Sequence, residues 1–205
     1  MRLIKTIFSG ATLLLAVAAG PVLGVAAKER KPIVTSAAGI STIGIDNFGR
    51  VSPTYYRGAQ PADRDFAELA ALGVKTVIDL QEDGVASEPG LVERAGMKYV
   101  RIPMTTHKPP TGDQLVQFLA LVNDPVSQPV YVHCAGGRHR TGVMTAVYRM
   151  TSDGWTSDQA FNEMKQYDFG ADLLHPEFKR FVYTYRAQPT LAAPVLAGAA
   201  TSVTN

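Results

Sequence analysis

The chain has 205 residues, of which 46% are hydrophobic and 19% charged, and its formal net charge is +2. This length suits a single packed domain, and the hydrophobic share excludes a wholly disordered chain. The 18 glycines and 13 prolines are scattered, which excludes a collagen-like repeat. Two positive charges, Arg2 and Lys5, lie in a leader segment. The remainder is therefore close to neutral and gives no electrostatic reason to expect a nucleic-acid partner.

The first 27 residues have the layout of an export signal. Basic residues precede a stretch without charges over residues 6–27, and Lys28 opens a charged run. We expect a signal peptide over residues 1–27, with cleavage after Ala27, and hence a periplasmic or secreted bacterial protein without stable membrane association. A retained membrane anchor is the alternative, although three glycines and a proline interrupt the apolar stretch.

The rest of the chain alternates between strand-like and helix-like patterns. Residues 28–52 show no periodicity and are predicted to be a linker or N-terminal extension. The alternation predicts a single α/β domain over residues 53–187, with a mostly parallel sheet of four or five strands flanked by helices. Residues 188–205 are rich in Ala, Pro, Thr and Ser, which predicts a disordered tail. The predicted strands are 53–57, 74–80, 99–102 and 129–133, and the predicted helices are 62–72, about 90–95, a segment capped by Thr111, 140–150, 157–167 and 176–186.

Cys134 is the one cysteine of the chain, so no disulfide can form within it. Such a residue is either a small buried hydrophobic side chain or a reactive thiol. It lies in the segment HCAGGRHRTG, residues 133–142, between a predicted buried strand and a predicted helix. In open α/β sheets ligands bind beyond the carboxyl ends of the strands, where the first amides of the following helix are free to bind an anion.

The residue types of this loop suit the binding and attack of a phosphoryl group. Gly136 and Gly137 leave the backbone free to turn several amides inward as an anion nest. The helix dipole and the basic residues 138–140 favour the thiolate form of Cys134, which is the nucleophilic form. Arg140 can hold two phosphoryl oxygens with its planar fork of donors.

The pattern His-Cys-x5-Arg-Thr over residues 133–141 resembles the signature of the cysteine-dependent protein tyrosine and dual-specificity phosphatases. The fuller loop, with basic residues at 138 and 139, looks like the atypical dual-specificity phosphatases that cleave inositol pyrophosphates. Residues 56–61 and 76–80 are similar to the opening strands of that group and of its bacterial relatives. The resemblance covers about residues 53–186 and implies a dual-specificity-phosphatase-like fold.

The resemblance also implies a two-step hydrolysis of a phosphate ester or anhydride. Cys134 would attack phosphorus to form a phosphocysteine intermediate, which water would then hydrolyse. Arg140 would stabilise the equatorial oxygens, Thr141 would support the thiolate and the second step, and His133 would order the loop. Neither a cofactor nor a metal is expected, because the four histidines at 107, 133, 139 and 175 are dispersed along the chain. The expected substrate-binding residues are Ala135, Gly136, Gly137, Arg138, His139 and Arg140.

A general acid is harder to assign from the sequence. Most members of that family have an Asp upstream of the cysteine, whereas residues 101–108 contain no carboxylate. Asp113 is the nearest candidate, but an acidic residue there is equally typical of a helix start; His107 is a weaker candidate. Because a phosphoanhydride needs less protonation of its leaving group than an alkyl phosphate, the missing acid favours a pyrophosphate substrate.

Four further residues admit a structural and a functional interpretation. Asp79 ends a buried strand, and we expect it to make a structural hydrogen bond. Arg57 either supports the structure, which we favour, or binds substrate. His107 and Lys108 either line the pocket rim or are simply solvated.

Several functions stay open at this point. The substrate is either a phosphotyrosine or phosphoserine protein or an inositol polyphosphate, and we expect the chain to act as a monomer. A phosphate-binding module without catalysis is one alternative, although the presence of both Cys134 and Arg140 argues against it. A rhodanese-type sulfurtransferase is a less favoured alternative, because the loop of such enzymes is usually a residue shorter.

Overall fold

The computed structural model describes residues 43–187. The predicted signal peptide, most of the predicted linker and the predicted tail lie outside these residues. The described part forms five strands and six helices around one sheet. They are β1 (Gly49–Ser52), β2 (Tyr55–Ala59), α1 (Asp65–Ala71), β3 (Thr76–Gln81), α2 (Glu88–Arg94), β4 (Lys98–Met104), α3 (Gly112–Asn123), β5 (Val130–Cys134), α4 (Arg140–Ser152), α5 (Ser157–Gln166) and α6 (Pro176–Thr184).

The strand order in the sheet is β1-β2-β5-β3-β4. Strand β1 is antiparallel to β2, and the other three pairings are parallel. This confirms the predicted α/β class with a mostly parallel sheet. Strand β5 lies in the middle, so Cys134 stands at the carboxyl end of the central strand, where an open sheet of this type binds its ligands.

The alternation of side chains along each strand divides the core into two layers. Ile78 and Leu80 of β3 face one layer, whereas Val77 between them faces the other. The first layer is completed by α3 to α6 and the second by α1 and α2. The helix residues that fill the two layers include Phe118, Leu119, Val143, Val147, Phe161, Phe178 and Val182 in the first, and Phe66, Leu69 and Val92 in the second.

Local sequence signals set the ends of several helices. Helix α3 begins with a capping box: Thr111 Oγ1 accepts a hydrogen bond from the Gln114 amide, and Gln114 Oε1 accepts one from the Thr111 amide. This confirms Thr111 as the predicted cap. Gly73, with φ +82°, follows α1 and ends it as predicted. Within residues 43–187 the helices are too short and too polar to cross a bilayer.

Strand β1 lies inside the segment predicted to be a linker or N-terminal extension, so the folded part starts before residue 53. Phe48 stacks on Tyr56 and Tyr131, with ring centroids 5.9 and 6.2 Å apart, and Ile45 is buried in the same layer. Four strand residues at a sheet edge are too few to show an alternating pattern, and this is why periodicity did not reveal β1.

Candidate active site

The segment from the end of β5 to the start of α4 supplies most of the lining of a pocket of about 250 Å³. Cys134 is 3% exposed and packs partly against the apolar core, yet it also lines this pocket. The structure therefore places the thiol at the pocket and not in a closed interior. The pocket is lined by Thr106, Cys134, Ala135, Gly136, Arg138, His139 and Arg140.

Gly137 explains why the loop can curl at this point. Its φ is +64°, a conformation that residues with a side chain rarely adopt. A Cβ at this position would also overlap the backbone of Gly58 and Ala59 in β2. The loop therefore lies directly against the neighbouring strand, and only glycine permits that approach.

Three successive loop carbonyls are held by hydrogen bonds from other parts of the chain. The Gln60 amide donates to the Ala135 carbonyl (3.2 Å) and Asn47 Nδ2 donates to the Gly136 carbonyl (2.8 Å). Arg57 Nη2 donates to the Gly137 carbonyl (2.6 Å). These bonds fix the peptide planes of the loop, which an amide nest requires if it is to bind an anion without rearranging.

Arg57 is a support of the loop and does not line the pocket. It is fully buried, and its guanidinium stacks over the Tyr167 ring at 3.9 Å. Burial lowers the pKa of Arg57, although nearby tyrosines, including Tyr55 and Tyr167, act in the opposite direction. The contact with the Gly137 carbonyl agrees with the structural interpretation that the sequence favoured.

Arg140 and Thr141 lie where α4 begins. Arg140 is largely buried, and its Nη1 donates to the Met104 carbonyl at 3.1 Å, which anchors the guanidinium against the end of β4. Thr141 is fully buried, and its hydroxyl has no hydrogen-bond partner among the described residues. The predicted hydrogen bond from this hydroxyl to the Cys134 sulfur is therefore not formed in this structure and stays a prediction.

His139 contributes less charge to the pocket than its position suggests. Its Nε2 lies 3.0 Å from the Phe169 carbonyl. Partial burial lowers the pKa of His139, and the positive charges of Arg138 and Arg140 act in the same direction, whereas the hydrogen bond with the Phe169 carbonyl opposes them. This shift favours the neutral imidazole, so Arg138 and Arg140 are the main cationic groups of the pocket lining.

His133 is buried on the opposite side of β5 from Cys134. Its Nε2 lies 2.8 Å from Glu88 Oε1, and both side chains are excluded from solvent. Nearby, Asp79 accepts hydrogen bonds from Tyr99 Oη (2.7 Å) and Arg101 Nε (3.0 Å), which confirms the expected structural role of Asp79. These contacts hold the end of β5 in place from the face that does not carry the thiol.

The structure does not bring Asp113 to the pocket lining. Asp113 is exposed in the first turn of α3, where the helix dipole favours a carboxylate, so the structure favours the helix-start interpretation. None of the lining residues is a carboxylate. His107 and Lys108 are exposed in the loop after Thr106, and Lys108 lines an adjoining cavity.

Asp83 is the acidic residue that the sequence pattern did not single out. Its Oδ1 lies 4.0 Å from Arg140 Nη1, and its side chain is 89% exposed. Asp83 follows the carboxyl end of β3, which is the parallel neighbour of β5. Because the carboxyl ends of parallel strands meet at one edge, the acidic pair Glu82 and Asp83 after a buried strand is a signal that could have indicated this position.

A family model described as "DSP-PTPase phosphatase fused to NAD+ Kinase" matches residues 45–179. Among curated relatives, the dual specificity protein phosphatase TpbA of Pseudomonas aeruginosa is 32% identical over 124 residues, which cover 60% of this chain and 56% of the relative. The inositol diphosphatase SIW14 of Saccharomyces cerevisiae is 27% identical over 130 residues, 60% of this chain and 46% of the relative. The chain thus spans about half the length of these two relatives.

Solved structures of the same two proteins share the fold. A complex of P. aeruginosa TpbA with pTyr has a TM-score of 0.59 and 27% identity, and covers 71% of this chain and 88% of that chain. The catalytic domain of SIW14 from S. cerevisiae, in complex with citrate, has a TM-score of 0.62 and 24% identity, and covers 71% and 89%. Since the family model matches well over half of the residues, the chain belongs to the family of dual-specificity and tyrosine phosphatases, among its atypical members.

Proposed function

We propose that the chain is a phosphatase that hydrolyses phosphate esters or anhydrides through a phosphocysteine on Cys134. The observation that carries the proposal is the position of Cys134 in a pocket lined by Arg138, Arg140 and the loop that opens α4. The thiolate attacks phosphorus, and the bond between phosphorus and the leaving oxygen breaks with its electron pair on that oxygen. Water then attacks the phosphocysteine and releases inorganic phosphate and the thiolate.

The loop stabilises the charge that develops on the three equatorial phosphoryl oxygens. Arg140 offers two parallel donors, and the constrained peptide planes that carry the amides of residues 136–138 need not reorganise during the reaction. Arg138 is exposed at the pocket lining, where it adds a positive charge for the rest of an anionic substrate.

We further propose a densely phosphorylated small molecule, such as an inositol polyphosphate with a phosphoanhydride, as the substrate. The pocket lining carries two arginines and the imidazole of His139, but no Phe, Tyr or Trp side chain and no carboxylate. Aromatic side chains in a pocket wall favour the binding of a phosphotyrosine ring. A phosphoanhydride substrate needs only positive charge in the pocket, and its leaving group departs without strong protonation. The name of SIW14, an inositol diphosphatase, supports this choice.

A phosphotyrosine protein is the second candidate substrate. TpbA is named a dual specificity protein phosphatase, and its solved structure holds pTyr. Phosphate release from an inositol pyrophosphate and from a phosphotyrosine peptide, measured side by side, separates the two. We expect a higher kcat/KM on the inositol pyrophosphate than on the peptide. In Arg138→Ala, kcat/KM should fall more on the pyrophosphate than on the peptide. A higher kcat/KM on the peptide would reverse the assignment.

The catalytic role of Cys134 is tested with Cys134→Ser. We expect phosphate release to disappear while circular dichroism and the melting temperature stay near those of the parent chain, because the change replaces a single atom. A parent chain that binds phosphate without releasing it from any substrate would indicate a binding module. Sulfur transfer from thiosulfate to cyanide by the parent chain would indicate the rhodanese-type alternative.

We also propose that the chain is exported, on the basis of the basic start and apolar stretch of residues 1–27. Expression of the full chain in a bacterium, followed by mass spectrometry of the protein from the periplasmic fraction, tests this. A mature N-terminus at Lys28 is expected. A cytoplasmic protein that keeps Met1 or Arg2 at its N-terminus would contradict it.

A further inference from the structure

Three of the four histidines of the chain converge beside the pocket. They come from the loop before α3 (His107), the loop before α4 (His139) and the residue before α6 (His175). The ring centroids of His107 and His175 are 5.4 Å apart, and those of His139 and His175 are 3.8 Å apart. Folding thus gathers side chains that are dispersed in the sequence.

A carboxylate completes this group. Glu177 Oε1 lies 3.1 Å from His175 Nδ1 and 3.8 Å from His107 Nδ1. One ligand atom from each of the three residues lies within 4.8 Å of the other two. Ligand atoms on a tetrahedral zinc ion, with bonds of about 2.0–2.2 Å, are about 3.3–3.5 Å apart. The separations of Glu177 Oε1 from His175 Nδ1 (3.1 Å) and from His107 Nδ1 (3.8 Å) fall on either side of that range. Small side-chain rotations therefore suffice to fit an ion.

We propose that His107, His175 and Glu177 bind a divalent transition-metal ion of the zinc type. Two imidazoles and one carboxylate are the ligand set that Zn²⁺ and its neighbours Co²⁺ and Ni²⁺ prefer over Mg²⁺ or Ca²⁺, which take oxygen ligands. Three protein ligands leave a fourth position for water or for an oxygen of a bound anion.

Neighbouring rings restrict the imidazole of His175, which stacks on Phe178 with ring centroids 5.8 Å apart. His139 packs on His175, but it is not one of the three residues whose ligand atoms lie within 4.8 Å of one another. A metal ligand held by its neighbours in this way loses little freedom on binding.

A bound ion would join two segments at the pocket rim. His107 directly follows Thr106, which lines the pocket, whereas His175 and Glu177 belong to the start of α6. The ion would therefore hold the loop of residues 105–111 against α6. Metal binding does not depend on the phosphatase reaction. A test of the metal site therefore gives its own result, whether or not the chain hydrolyses phosphate compounds.

The test is a titration of the full chain, without a histidine tag, with Co²⁺ and then Zn²⁺. We expect one Co²⁺ per chain, with visible absorption bands typical of a four- or five-coordinate ion, and displacement by Zn²⁺. His107→Gln, at a side chain that is 74% exposed, and Glu177→Gln should each weaken binding at least tenfold. Glu93→Gln, at an exposed carboxylate of α2 outside the group, is the matched control and should bind as the parent does.

Cys134 is the competing ligand, because a thiolate also binds these metals. In Cys134→Ser, Co²⁺ binding at the histidine site should persist with the same spectrum. Zn²⁺ should also slow amide hydrogen exchange in residues 105–111 and 175–177 of the parent chain. Absence of saturable binding, equal affinity in His107→Gln and Glu177→Gln, or binding that disappears in Cys134→Ser would each overturn the proposal.

Discussion

At the scale of single residues, the loop of residues 134–140 depends on its backbone conformation as much as on the chemistry of its side chains. Cys134 and Arg140 line one pocket, and between them Gly137 adopts a positive φ against the backbone of Gly58. Arg57 donates a hydrogen bond to the Gly137 carbonyl. The shape of the loop therefore depends on a glycine and a buried arginine that do not line the pocket.

Gly137→Ala is predicted to destabilise the chain and to reduce phosphate release. The left-handed conformation alone costs an L-residue about 1–2 kcal/mol, and the overlap with Gly58 adds to this. Differential scanning calorimetry should show a melting temperature lowered by several degrees. Gly136→Ala is the control, since a Cβ there meets only the Arg138 side chain at 3.6 Å, an ordinary contact. Equal melting temperatures for the two variants would contradict the packing described for Gly137.

Asp113→Asn is predicted to leave turnover unchanged on both phosphate esters and phosphoanhydrides. The residue is exposed in the first turn of α3 and does not line the pocket, so it has no route to the leaving group. Steady-state kinetics on several substrates, with Asp83→Asn measured in parallel, checks this. A loss of roughly a hundredfold or more in kcat for Asp113→Asn alone would restore it as the general acid.

At the scale of elements, the site depends on how β5 is held between its neighbours. Parallel pairing with β2 and β3 sets its carboxyl end level with Ala59 and Asp79, and α2 supplies the buried carboxylate of Glu88 to His133. A close contact between buried polar groups is costly to break, because each group excluded from water needs a polar neighbour.

Glu88→Gln is therefore predicted to lower the free energy of unfolding by about 1–3 kcal/mol, the cost of disturbing a buried polar contact, measured by urea denaturation. Glu93→Gln on the same helix is exposed and serves as the control, with an expected change below about 0.5 kcal/mol. A similar small change for both variants would show that the contact between Glu88 and His133 contributes little to stability.

The elements around the site were largely predictable because each carries a local signal. Helices α3 and α5 have capping residues and apolar residues at helical spacing, and β3 and β5 are short apolar runs. The HCAGGRHRTG segment likewise placed the reactive cysteine between a strand and a helix. Strand β1 was not predicted, because a short edge strand gains its stability from contacts with residues elsewhere in the sheet.

Contacts between distant segments were the part that sequence could not supply. Asp83 approaches Arg140 only because β3 and β5 are parallel neighbours. His107, His139 and His175 meet only because three loops end on the same side of the domain. No local pattern records such proximity, and the histidines therefore looked unrelated in the linear sequence.

At the scale of the whole molecule, one sheet organises the chemistry. Two apolar layers cover the central strand on both faces of the sheet. The carboxyl edge of the sheet brings the loop of residues 134–140 close to Thr106, which lines the same pocket, and to Asp83, which lies near Arg140. The family match over residues 45–179 covers this arrangement, so the described domain contains all the residues that the proposed reaction uses.

The most direct test of the central claim is to trap the covalent intermediate. The parent chain is mixed with an excess of substrate and quenched on the millisecond scale in denaturant at alkaline pH, which preserves a bond between sulfur and phosphorus. The chain is then digested, and the peptide that carries phosphate is located by mass spectrometry. We predict phosphate on the sulfur of Cys134, and none in Cys134→Ser treated identically. Turnover with no phosphate on Cys134 at any quench time, or turnover that persists in Cys134→Ser, would contradict the mechanism.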